Sequence, residues 1–181
     1  AIMSNVLYEQ NQLVDAEIYV RQGIKQAKRG GFFQSLVFGQ ILLARILQAR
    51  GDTDGANMML QAAIKSCQMN PTQWFHMAVD ACQVQLWLEQ QEFDAAYRWA
   101  QENILIAEVE LNPINEFEHI SLARVLINQG RAEPDGKTLA KALELTNRLA
   151  LSAESAGHIG HLIDLLNLQA LVLDALGDLN Q

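Results

Sequence analysis

The sequence is poor in cysteine, proline and positive charge, and each shortage closes off a class of protein. Two cysteines, Cys67 and Cys82, cannot build a disulfide framework, and no CxxC or metal-type cluster accompanies them. Both sit in apolar helical patterns and are expected to be reduced core thiols of a cytoplasmic protein. The three prolines, Pro71, Pro113 and Pro134, stay out of helix interiors, as the missing N–H and the ring clash require. No stretch reaches the roughly 18 unbroken apolar residues that a membrane span needs. The most apolar one, Leu162 to Leu176, is interrupted by Asp164, Asn167, Gln169 and Asp174. The opening Ala1-Ile2-Met3 has no basic region followed by an apolar run, so no signal peptide is read. With 13 Lys and Arg against 21 Asp and Glu, the net charge is −8. Such a surface repels phosphate backbones, which argues against direct nucleic-acid contact by this segment.

What the sequence does have is repetition. NQLVDA (11–16), GDTDGA (51–56) and QEFDAA (91–96) align, ending in Ala16, Ala56 and Ala96 at intervals of 40 residues. Three residues on stand Tyr19, Met59 and Trp99; eight on, Ile24, Ile64 and Ile104; eleven on, Ala27, Cys67 and Ala107. Those offsets return to one helical face, with small residues where a second helix must come close. Ahead of each turn lie Leu7, Leu47 and Trp87, preceded by Val6, Ile46 and Leu86. A fourth unit has Val125 and Leu126 before Gly130, then the insertion RAEPDGK, then Ala142, Leu145, Ala150 and Ala153. A fifth begins near Ile159 and reaches Gly177-Asp178.

Gly30-Gly31, Asn70-Pro71, Asn112-Pro113 and Gly157 punctuate between units, and Gly51-Asp52, Gly130 and Gly177-Asp178 fall within turns. No segment alternates with period 2. The expected fold is all-α, a TPR-like solenoid (superhelix) of antiparallel helix pairs, with about four to five repeats of roughly 40 residues. Residues 1–181 are expected to form a single helical repeat domain, an excerpt of a longer multidomain protein. Its ends are then expected to expose apolar surface and to allow self-association.

The GDxxxA pattern resembles a tetratricopeptide repeat, and the longer unit narrows the resemblance. VLYEQNQLVDAEIYVRQGIKQAKRGG (6–31), LLARILQARGDTDGANMMLQAAI (42–64), LWLEQQEFDAAYRWAQEN (86–103), SLARVLINQGR (121–131) and LQALVLDALGDLNQ (168–181) together resemble the repeat region of MalT-like, large ATP-binding transcriptional regulators of the LuxR type. The resemblance implies three parts: an N-terminal ATPase switch, a helical superhelix that receives an inducer or regulatory protein, and a C-terminal helix-turn-helix. Only the middle part is seen here. There is no GxxxxGK[ST] phosphate loop and no basic recognition helix, so ATP is expected only in an absent N-terminal module, and no cofactor in this segment. Two departures stand out. The turns at Asn11 and Gln91 lack glycine and are expected to be tighter or helical, and RAEPDGK lengthens the fourth connection.

His158-Ile159-Gly160-His161 is a string used elsewhere in nucleotide activation. That chemistry needs a strand–loop–helix setting and a distant lysine-rich loop, and neither is present. His158, His161 and Asp164 also share a helical face at i, i+3 and i+6, but spacing alone supplies no fourth metal ligand. The favoured reading is structural: the histidines open the fifth unit, and no metal is expected. His76 and His119 are read as isolated surface or partly buried residues, and Met58, Met59, Trp87 and Trp99 as packing. No paired carboxylates, Ser–His or Cys–His set stands out, so no catalytic residue and no enzyme are expected.

A binding role falls to the inner face. In such stacks the first helices line a concave groove, and one row holds Arg45, Gln85, Arg124 and Leu171. A neighbouring row holds Phe38, Ala78, Phe117 and Asp164, with Asn128, Asn167 and Asp174 close by. Arginines that donate hydrogen bonds and aromatics that stack suit a peptide, a sugar or an anion. The groove candidates are Phe38, Arg45, Gln85, Phe117, Arg124, Asn128, Asp164 and Asn167. Against this, Leu-Ala-Arg occurs at both 43–45 and 122–124, which also fits arginines that recur to pair with nearby acids. The expected role is effector sensing for a transcriptional regulator in the cytoplasm. The partners are a small-molecule inducer or regulatory protein, and other domains of the same chain. A protein-binding scaffold of another signalling protein is the alternative.

Overall fold

In the computed structural model, residues 2–69, 73–103, 116–132 and 136–178 are described. They form helices α1 (Ile2–Glu9), α2 (Leu13–Gly30), α3 (Phe33–Ala49), α4 (Thr53–Met69), α5 (Gln73–Glu89), α6 (Phe93–Glu102), α7 (Glu116–Gly130), α8 (Lys137–Ala156) and α9 (Ile159–Asp178). No strand occurs among the described residues, and the chain is an all-α, TPR-like helical repeat, as its sequence period requires. Ile104, Ala107, Asn70-Pro71, Asn112-Pro113 and Pro134 lie outside the described residues. Packing divides the chain into two compact units, Ala1–Leu86 and Trp87–Gln181.

The turns show the repeat most directly. Gln12, Asp52 and Glu92 each donate a backbone N–H to the carbonyl five residues back, on Leu7, Leu47 and Trp87, at 2.8, 2.9 and 2.8 Å. The residue before each donor is left-handed: Asn11 at φ 58°, Gly51 at φ 81° and Gln91 at φ 62°. This bond closes the helix end by satisfying a carbonyl that the helix leaves free. The turns at Asn11 and Gln91 are therefore neither tighter nor helical. They copy the glycine turn with a bulkier residue. Between pairs, Gly31 and Gly157 play the same part, with Phe32 bonding Ala27 and His158 bonding Ala153. Gly177 lies inside α9 rather than in a turn.

In the first unit, α2 packs on α1 and α3, and α4 on α3. Ala16 and Ala56 are fully buried at the start of α2 and α4. The buried stripe then continues through Val20 and Ala27 on α2, and through Leu60, Ala63 and Cys67 on α4. The offsets of three and eight lie at its margin: Tyr19 is 51% exposed, and Ile24 and Ile64 are half-buried. Met58, read as packing, is 68% exposed because it falls on the outer face of α4. Asp52 caps α4 by accepting the Gly55 N–H at 2.9 Å.

The second unit repeats the scheme. α8 packs on α7 and α9. Ala96 is fully buried on α6; on α8 the column runs Ala142, Leu145, Thr146, Leu149 and Ala153, all buried. Helices α7 and α8 come so close that a Cβ on Gly130 would stand 2.9 Å from the backbone nitrogen of Leu139. Helix α9 buries Leu165, Leu168, Val172 and Ala175. Its segment Ile159–Gly177 is nonetheless long and apolar enough to cross a membrane by length and composition, with mean hydropathy 1.4, despite its two aspartates. Ile159, Ile163, Leu166 and Leu173 stand exposed on it.

Candidate functional site

Within each unit several groove candidates sit where neighbouring first helices meet. In the first unit, Arg45 of α3 reaches back to α1, its guanidinium 4.8 Å from the Tyr8 ring centroid. That places a delocalised cation over a π face, an arrangement worth about 0.5–1 kcal/mol at an accessible site. Its Nε is buried and makes no hydrogen bond. Seven residues earlier on the same face, Phe38 reaches forward to α5 and meets Trp74 edge-on at 5.0 Å. Phe33 and Trp74 meet Phe75 in the same way, at 5.3 and 5.4 Å. These rings and Phe32 to Ser35 line an open recess of about 660 Å³ at the start of α3. Gln85 is half-buried on α5 and engaged with its neighbours.

The second unit repeats the pattern with different chemistry. Phe117 and Arg124, again seven apart, reach from α7 to α9. Phe117 meets the His161 ring edge-on at 5.3 Å, and Arg124 pairs with Asp164 at 3.6 Å. Asn128 accepts a hydrogen bond from the Tyr97 hydroxyl at 2.8 Å. Asn167 is exposed on α9. The Arg124–Asp164 pair is open to water and contributes little to stability, so an incoming ligand can exchange it at small cost.

The two histidines of the His-Ile-Gly-His string come together, but not with Asp164. Their partner is Glu116, the first residue of α7, a position where helix N–H groups favour a carboxylate. Glu116 is 7% exposed, and its Oε2 lies 3.0 Å from His158 Nδ1 and 2.8 Å from His161 Nδ1. Residue spacing alone does not reveal this partner, which sits 42 positions before His158. The available signal is the repeat itself, which sets the first turns of successive first helices beside one another. His119, read as surface or partly buried, is fully buried on α7, while His76 is half-buried.

Neither cysteine is in a disulfide, and both are buried. Burial, and next the Asp80 charge, push the Cys67 thiol above its ordinary range, which makes it a poor nucleophile.

The description of the MalT-like TPR region matches residues 1–181 from end to end. The chain belongs to the MalT-like TPR family. No curated protein and no solved structure matches it. TPR-like repeats generally mediate protein interactions and are generally non-catalytic.

Proposed function

We propose that this MalT-like TPR chain is the effector-sensing and protein-interaction domain of a LuxR-type transcriptional regulator, non-catalytic and cytoplasmic. The observation that carries the reading is the family match across the whole chain. The first-helix faces supply the chemistry. Arg45 with the aromatic recess in one unit, and Arg124, Asn128, Asp164 and Asn167 in the other, offer cationic donors, amides and π faces. An inducer or regulatory protein that binds one packing of neighbouring first helices better than another shifts the population toward it. The shift then alters docking to other domains of the regulator. No nucleic-acid contact by this acidic segment enters the mechanism.

A thermal-shift screen of small molecules and candidate regulatory proteins tests this reading. A ligand at a hundred times its Kd stabilises the folded chain by about 2.7 kcal/mol. That gain should shrink in Arg45→Ala or Arg124→Ala. If a protein partner stabilises the chain and no compound does, the small-molecule version fails. If neither does, the sensing reading fails.

A further inference from the structure

We propose that Glu116, His158 and His161 form a binding site for a divalent transition-metal ion of the zinc type. One carboxylate oxygen and two imidazole nitrogens converge there, all within 4.8 Å of one another. Two imidazoles and a carboxylate are a ligand set that zinc accepts, with further positions left for water or an incoming anion. Ligands of a tetrahedral zinc stand about 3.3–3.5 Å apart, given metal–ligand distances of about 2.0–2.2 Å. The observed oxygen–nitrogen separations of 2.8 and 3.0 Å need to open by about half an ångström, and the two nitrogens, within 4.8 Å of each other, to close by about an ångström, a side-chain adjustment of both rings.

Hydrogen bonding alone leaves this cluster unresolved. His158 Nδ1 is placed to donate its proton to Glu116 Oε2. His161 Nδ1 is just as near the same oxygen, yet it lies off the line that a hydrogen bond needs and is buried without a hydrogen-bond partner. As an acceptor it would set a lone pair against a carboxylate lone pair. As a donor it would be misaligned. A cation between the three atoms resolves both contacts: the Nδ1 lone pairs and the carboxylate oxygen coordinate it, and the displaced His158 Nδ1 proton goes to solvent. The edge-on ring of Phe117 helps fix the orientation of His161, a role that neighbours of metal ligands commonly fill. Asp164, which the spacing of the string puts on the same helical face, is not among the three converging residues; it lies 3.6 Å from Arg124. A bound ion would clamp the start of α7 to the start of α9 within the second unit.

Titration of the 181-residue chain with Zn²⁺ by calorimetry, and with Co²⁺ by visible absorption, tests the site. The expected result is one ion per chain and the absorption of Co²⁺ held by nitrogen and oxygen ligands. His158→Ala and Glu116→Gln should weaken binding by more than the roughly ten- to hundredfold that loss of an outer-shell partner costs. Asp164→Asn should leave it unchanged. Circular dichroism checks that each variant is folded. Should Glu116→Gln fail to fold, His158→Ala, whose side chain is 38% exposed, carries the comparison. Absence of stoichiometric binding, or equal binding by wild type and His158→Ala, overturns the proposal.

Discussion

At Asn11 and Gln91 the backbone adopts the left-handed turn that Gly51 adopts between them. A Cβ in that conformation costs roughly 1–2 kcal/mol, less for asparagine, whose short side chain tolerates it. Gln91→Gly should therefore raise stability by about 0.5–1 kcal/mol, net of the entropy glycine loses on folding, and Asn11→Gly by less. Gly51→Ala should lower it by about 1 kcal/mol. Urea unfolding of the three variants measures this directly. The alignment of these positions is legible in the sequence, but the turn geometry is not. Lack of glycine suggests a different turn, whereas the bond from residue 12, 52 or 92 to the carbonyl five back holds the same one. The Glu116–His158–His161 cluster is hidden for a related reason. Local spacing nominates Asp164, while the packing of α7 against α9 supplies Glu116.

At the scale of the element, the pairing of helices is readable from three alanines. Ala16, Ala56 and Ala96 stand 40 residues apart, and each is fully buried where a second helix begins. Ala56→Leu should overpack that seam and cost on the order of 1–3 kcal/mol, seen as a lower urea midpoint. Met58→Leu, two residues on and on the opposite, exposed face, should leave the midpoint nearly unchanged. The period is plain because helix-pair stacking repeats the same small-residue contact. The width of the buried stripe is less plain. Offsets three, four, seven and eight all lie near one face, and packing on α3 selects Leu60 and Ala63 over Met59 and Ile64.

At the scale of the whole molecule, the all-α repeat follows from sequence period, and the family from the order of its motifs. The side chains of the predicted groove are each found on a first helix, and several are already engaged: Arg45 over Tyr8, Phe38 against Trp74, Arg124 with Asp164. The recurrence of Leu-Ala-Arg thus marks contacts between first helices within each unit, and a ligand would act by exchanging or reinforcing them. Sequence spacing could place these residues in rows, but it could not show which neighbour each one meets. Hydrogen exchange read by mass spectrometry is the most direct test, carried out with whichever compound or regulatory protein raises the melting temperature. The first-helix reading predicts slowed exchange in α3, α5, α7 and α9 and little change in α2, α4 and α8. Protection confined to α2, α4 and α8 would contradict it.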